Sequence, residues 1–291
     1  MRPAIATLLL ACAALAVTAA FAQERFLDRG SSPRATQAAS DLPAPDAPLP
    51  RDPAELASRL AATTRALRAA VERWDGADAV PRDVTYLALH HQRILRTMAA
   101  RRVLGDATLA RLARDVRGEA RDTVAARRHL DGIPRSLRRL PRLRTAAAAP
   151  AAELRRHYAS AQDRFGVHWS VLASINFVES AFGRVRSDSE AGARGPMQFL
   201  PSTWRAYGMG GDIDDPRDAI LAAANLLQRS GARSDLDRAL FAYNHSTSYV
   251  RAIRRFAARM RRDERSYLTY YAWQVYVRTA NGGTRRLTGP R

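Results

Sequence analysis

Trp169-Ser170-Val171-Leu172-Ala173-Ser174-Ile175-Asn176-Phe177-Val178-Glu179-Ser180 is an apolar run that ends on an acid. Val171, Leu172, Ile175 and Val178 recur at helical spacing, so the run reads as a helix with its stripe against a core. Glu179 lies four residues beyond Ile175 and seven beyond Leu172, and the same geometry points its carboxyl inward or into a cleft. A carboxyl withdrawn from water resists ionisation; its pKa rises, and it can remain protonated near neutral pH as a general acid. Gly183 offers a C-terminal cap that would leave the acid at a helix end, beside a loop. On this helix alone the stronger reading is structural, an interfacial glutamate paired with an arginine such as Arg184 or Arg194, because buried acids are more often paired than catalytic.

Two later stretches reverse that balance. The first is Gly195-Pro196-Met197-Gln198-Phe199-Leu200-Pro201-Ser202-Thr203-Trp204; the second is Ala242-Tyr243-Asn244, which continues a helical stripe of Leu236, Ala239 and Leu240. Each has a plain interpretation. Gln198 can satisfy turn backbone, Pro201-Ser202-Thr203 reads as a helix start with Ser202 as cap, and Tyr243 reads as a core tyrosine with its hydroxyl bonded locally. Their joint occurrence is informative, because Glu-Ser, then Gly-x-Met-Gln-Phe-x-Pro-x-Thr, then Ala-Tyr-Asn resembles the lytic transglycosylase domain of bacterial cell-wall enzymes. The resemblance covers roughly residues 151 to 262 and departs from the commonest pattern at Pro196, where an apolar residue is more usual. It implies a lysozyme-like helical domain with Glu179 as catalytic acid and base. Ser180 and Gln198 would help hold the sugar, Met197 would pack beneath the cleft, and Tyr243 and Asn244 would line it. It also implies cleavage of the β-1,4 bond between N-acetylmuramic acid and N-acetylglucosamine in peptidoglycan, leaving a 1,6-anhydro end. Neither a cofactor nor a metal is expected.

A single glutamate suits that chemistry. Retaining glycosidases usually place a second carboxylate near the first as nucleophile, and inverting ones place it farther away to hold a water. An anhydro-forming enzyme needs neither, since the substrate's N-acetyl group can stabilise the oxocarbenium-like centre and O6 can attack it. Asp188, Glu190, Asp212, Asp214 and Asp215 are candidate second acids, which keeps a lysozyme-type muramidase as a second reading. A wall-binding module with a dead site is a third. Asp212-Ile213-Asp214-Asp215-Pro216-Arg217-Asp218 resembles part of a calcium loop, but it lacks the glycine and distal glutamate of one. It reads better as a helix start, with Asp215 as N-cap and Pro216 at the first position.

The 291-residue chain opens with Met1-Arg2-Pro3, an apolar stretch from Ala4 to Ala20, and an Ala20-Phe21-Ala22 cleavage pattern. Residues 1–22 are therefore expected to be an export signal, placing the mature protein in the periplasm or the extracellular wall. The one cysteine, Cys12, lies inside that signal, so a mature chain would have no disulfide. Lipidation at Cys12 is the alternative, but apolar sequence continues for nine residues beyond it. Net charge is +19, and each of the 47 basic residues is an arginine. Such a surface favours polyanions. Beside peptidoglycan strands, acidic wall polymers and anionic membrane surfaces are the expected partners; nucleic acid is not expected in an exported chain without a binding motif.

Residues 23–50 read as a flexible leader and 51–131 as a helical N-terminal region, with Asp52 as N-cap, Pro53 first and Glu55 third in its opening helix. A second helical run spans about Arg82 to Val103, and shorter ones follow Asp106 and Gly118. His90-His91 makes a poor metal pair, because neighbours on a helix point to different faces. Residues 132–150 are a proline-punctuated connector and 151–262 the catalytic domain. Within it, the helix after Ser246 has an apolar face of Val250, Ile253, Ala257 and Met260 and a solvated arginine face. In the extension 263–291, Tyr270 to Val277 has strand character, Asn281-Gly282 suggests a tight turn and Thr284 to Leu287 a returning strand. The fold class is mainly α, with a lysozyme-like catalytic domain after a helical N-terminal region and a short C-terminal β-hairpin.

Overall fold

A computed structural model describes residues 42–133, 143–279 and 283–290. Eleven helices account for most of these, and a two-stranded antiparallel hairpin lies near the C-terminus. The export signal, the Cys12 alternative and the Asn281-Gly282 turn lie outside the described residues.

The N-terminal helices are α1 (Pro53–Glu72), α2 (Arg82–Ala100), α3 (Arg102–Arg111) and α4 (Arg114–Asp131). Asp52 caps α1 by accepting from the Ala54 and Glu55 amides, and Pro53 follows in the first turn. Leu56, Leu60, Leu67 and Val71 form its buried stripe against α2 and α3. The run expected from Arg82 to Val103 breaks at Arg101, whose ψ of 85° ends α2 and starts α3. Gly118 lies inside α4, an 18-residue helix, and does not open a short one. A glycine on an outer face with nothing near its missing Cβ weakens a helix without ending it.

The second group comprises α5 (Ala151–Phe165), α6 (Trp169–Ser180), α7 (Pro201–Tyr207), α8 (Pro216–Arg229), α9 (Leu236–Tyr243), α10 (Thr247–Arg262) and α11 (Arg265–Tyr271). Helix α8 buries Ala219 through Leu227 and is wrapped by α5, α6, α7 and α9. The Asp215 side chain accepts from the Asp218 amide at the start of α8, which makes Asp215 the N-cap. Helix α7 begins two residues earlier than expected. Pro201 takes its first turn and Leu200 its cap position, so Ser202 is inside the helix.

The two groups share one hydrophobic core that runs from Leu56 to Trp273. Helix α10 packs on α4 with one side and on α6 with another. Its arginine face is not wholly solvated: the Arg259 side chain is largely buried in its pair with Asp263, while Arg255 and Arg262, both still partly exposed, pair with Asp122 of α4. Tyr270, expected in a strand, instead lies in α11 with Tyr267 and Tyr271. All three rings are buried and bond to distant partners, Tyr270 to Thr123 of α4, Tyr267 to the Ala151 carbonyl and Tyr271 to the Ala149 carbonyl. Aromatic bulk reads as strand locally, but here it fills the junction between helices, and tertiary packing overrides a weak propensity. Among the described residues the strands are β1 (Tyr276–Arg278) and β2 (Thr284–Arg286). Residues 42–50 of the expected flexible leader lie against this body, with Leu49 packed on the core and Asp46 Oδ2 3.4 Å from Arg286 Nη2.

Candidate active site

Helix α6 ends at Ser180, three residues before the glycine expected to cap it. Ala181 (φ 52°), Phe182 (φ 64°) and Gly183 (φ 81°) follow in the left-handed region. Two non-glycine residues in succession there are strained. Burial of the Phe182 ring against Phe177, Tyr267 and Tyr271 offsets that strain. This places Glu179 at the last turn of a helix whose continuation is abruptly turned away.

The turn at 195–198 is tied to that helix end by buried hydrogen bonds. Ser180 Oγ donates to the Pro196 carbonyl at 2.6 Å and accepts from the Gly183 amide at 2.7 Å. Asn176 Nδ2 reaches the same carbonyl at 2.8 Å, and Asn176 Oδ1 accepts from Tyr158 at 2.6 Å. Arg194 and Phe199 close the turn with paired backbone bonds. Gly195 (φ 72°) passes so close to the Ile213 carbonyl that any Cβ would collide with it. Gln198 is itself left-handed (φ 51°). From α9, Tyr243 donates to the Met197 carbonyl at 2.6 Å, so the expected local bond is in fact a tether spanning 46 residues. Ser180 and the Met197 side chain have no exposed surface.

The Glu179 carboxyl is 5% exposed, and its Oε1 accepts a 2.7 Å hydrogen bond from Tyr249. Burial pushes its pKa from the usual 4.5 up to about 8, and the Tyr249 hydrogen bond pulls the other way by favouring the anion. Neither arginine proposed as a structural partner is engaged with it. Arg194 pairs with Asp214 at 3.2 Å, while Arg184 lies over the Tyr271 ring and bonds to the Ala181 carbonyl. The structural reading of Glu179 therefore loses its partner. Asp188 and Glu190 are exposed, and Asp215 and Asp218 are used at the start of α8.

Close enough to this acid to feel its charge are Tyr243 and one residue that sequence reasoning missed, Tyr249. The Tyr243 and Tyr249 rings are parallel, with centroids 6.5 Å apart. The signal for Tyr249 was present: it precedes Ile253, Phe256 and Met260 by four, seven and eleven residues and so belongs to the buried stripe of α10. Gln198 Nε2 bonds to the Gly195 carbonyl at 3.0 Å, while Gln198 Oε1 and Asn244 Oδ1 are buried acceptors without donors among the described residues. Buried polar atoms are nearly always paired, so two orphaned acceptors on the 195–198 turn and at the end of α9 are exceptions.

The family model of the transglycosylase SLT domain matches residues 157–266. This segment is similar to the transglycosylase SLT domain. Glu179, the 195–204 turn, Ala242-Tyr243-Asn244 and Tyr249 all fall inside the matched segment, and the helical architecture is consistent with the lysozyme-like fold of the SLT family. A relative, membrane-bound lytic murein transglycosylase F of Thiobacillus denitrificans, is 32% identical over 123 residues, which make up 40% of this chain and 26% of the relative. The chain thus spans about a quarter of the length of that curated relative. No solved structure matches the chain. Among the described residues, no helix is long and apolar enough to cross a membrane.

Proposed function

We infer that the protein is a peptidoglycan lytic transglycosylase that cuts the β-1,4 bond between N-acetylmuramic acid and N-acetylglucosamine and leaves a 1,6-anhydromuramyl end. The carrying observation is the buried Glu179 carboxyl, with a pKa near 8 and a tyrosine hydroxyl as its one hydrogen-bond partner among the described residues. Protonated at neutral pH, it gives its proton to the glycosidic oxygen as the C1–O bond breaks. The substrate's N-acetyl oxygen stabilises the positive centre at C1. The carboxylate just formed, held by Tyr249, then takes the proton of the O6 hydroxyl while O6 bonds to C1. Glu179 ends protonated, as it began.

Gln198 Oε1 and Asn244 Oδ1 receive sugar N–H or O–H groups, and Tyr243 lines the cleft. Ser180 and Met197 act from beneath: they hold the turn that carries Gln198 and do not touch the sugar themselves. Export through residues 1–22 would bring the enzyme to the wall. A muramidase shares the proton donor, but the groups that shift Glu179 include no second carboxylate. In a binding module, a desolvated proton donor would weaken the fold with no return. Purified sacculi digested with wild type and with Glu179→Gln test the reading by chromatography of the released fragments. Wild type releases anhydro-ended fragments and the variant none; fragments with reducing ends, or equal release by both, would overturn it.

A further inference from the structure

Val178 and Ala181 flank the Glu179-Ser180 pair, and both line a cavity of about 730 Å³. Its other walls are the second half of α2, the break at Arg101-Arg102, the end of α4 and the segment from Trp273 to Val277. The Gln92 side chain clamps that segment to α2, bonding to both the amide and the carbonyl of Gln274. The N-terminal helices thus supply one half of a cavity whose other half includes the helix that carries the catalytic acid.

The N-terminal half is basic. Arg93, Arg96, Arg101, Arg102, Arg127 and Arg128 line it, against one acid, Asp131. Some of this charge is used: Arg128 pairs with Asp106 at 2.7 Å, Arg127 lies 3.8 Å from Asp131, and Arg96 sits 4.2 Å over the Tyr276 ring. Among the described residues, Arg93, Arg101 and Arg102 form no ion pair. Arg93 Nη1 and the indole Nε1 of Trp273, itself 2% exposed, are buried donors with no acceptor among the described residues. Donors left this way are costly unless an acceptor arrives. The facing wall is apolar, formed by Phe177, Val178, Val185 and Trp273.

The geometry points to a binding site for the peptide stem of the murein strand, with its carboxylates on Arg93, Arg101 and Arg102 and its alkyl side chains on the apolar wall. A phosphate polymer would use the arginines and leave that wall idle; a short peptide with alkyl side chains and free carboxylates uses both. Guanidinium groups bind carboxylates through two parallel hydrogen bonds, which suits several arginines around one chain. This assignment rests on the glycan reading of the Glu179 site. It makes the enzyme one that prefers strands still carrying their stems.

Two measurements on the full-length protein test it. In the first, initial rates are compared on stem-bearing strands and on strands stripped of stems by an amidase. Wild type favours the stem-bearing strands by about tenfold or more, and Arg93→Gln/Arg101→Gln brings the ratio toward one. Arg101→Gln/Arg102→Gln, both at exposed positions, repeats the test should the Arg93 substitution impair folding. In the second, the amidase-released stem peptide and inorganic phosphate are each titrated into the Glu179→Gln protein with and without the arginine substitutions. Peptide binding that weakens about tenfold with those substitutions supports the site. Equal wild-type rates on both strands, peptide binding indifferent to the arginines, or phosphate binding as tight as peptide binding would overturn it. If wild type cuts neither strand, the catalytic reading fails while the titration still decides the cavity.

Discussion

Glu179 is set apart by what it lacks. A buried glutamate without a cation carries its desolvation as a raised pKa, and the sign of the consequences follows. Between pH 4.5 and about 8 the unfolded chain releases a proton that the folded chain keeps, so this residue's contribution to stability falls as pH rises through that window. Glu179→Gln should therefore melt higher than wild type, with the advantage growing by up to about 1.4 kcal/mol per pH unit across that window, while losing about a thousandfold or more in rate. Thermal melts from pH 5 to 8 check the first part; a constant difference would contradict it. Tyr249→Phe removes the group that favours the anion. Its alkaline activity limb should move to higher pH and its rate should fall about ten- to a hundredfold, which a pH–rate profile would show. The burial of the acid was legible in the sequence because an apolar helical stripe ran into it, but the helix alone favoured an arginine pair, and only the joint occurrence of the later motifs turned the reading toward catalysis. Tyr249 was less legible, since a tyrosine on a buried stripe does not reveal that its hydroxyl reaches an acid 70 residues away.

At the level of elements, the site depends on how one helix stops and one turn is held. The sequence marked the stop by a glycine, yet the chain turns at Ala181 and Phe182, because Phe182 gains a buried aromatic site there. Local cap preference is worth about 1 kcal/mol, and burial of a phenylalanine side chain about 1.5–3 kcal/mol, so the ring decides. The Gly195 position permits no Cβ, and Gly195→Ala should displace the turn that carries Gln198. A loss of about 1–3 kcal/mol in stability and a marked loss of activity are expected, measured by denaturant melts and strand digestion. Ser180→Ala should act the same way, leaving the Gly183 amide without its acceptor at a cost of about 1–3 kcal/mol. A Ser180→Ala protein of unchanged stability would mean that the network does not hold the turn. Helix starts at Asp52 and Asp215 were readable because an acid followed by proline satisfies the first amides. The helical placement of Tyr270 was not, because the partners of its ring include Phe177 and Phe256, which are remote in sequence, beside Trp273.

Across the whole molecule, the N-terminal helices and the helices from α5 onward are joined by a common core, by the Asp122 pairs to Arg255 and Arg262, and by the Thr123–Tyr270 hydrogen bond. Such a boundary does not show in composition or periodicity, which is why the sequence separated parts that pack continuously. A chain beginning at Pro150 would expose the faces of Phe256 and Tyr270; it should lose cooperative thermal unfolding, and a sharp calorimetric transition in that fragment would argue for an independent domain. The central claim is that one carboxyl serves twice and water takes no part. It is tested most directly by digesting peptidoglycan in water enriched in heavy oxygen and weighing the muramyl ends by mass spectrometry. Wild type should form ends lighter by one water and free of solvent oxygen, and Glu179→Gln none; muramyl ends carrying the heavy isotope at C1 would mean that water completes the reaction.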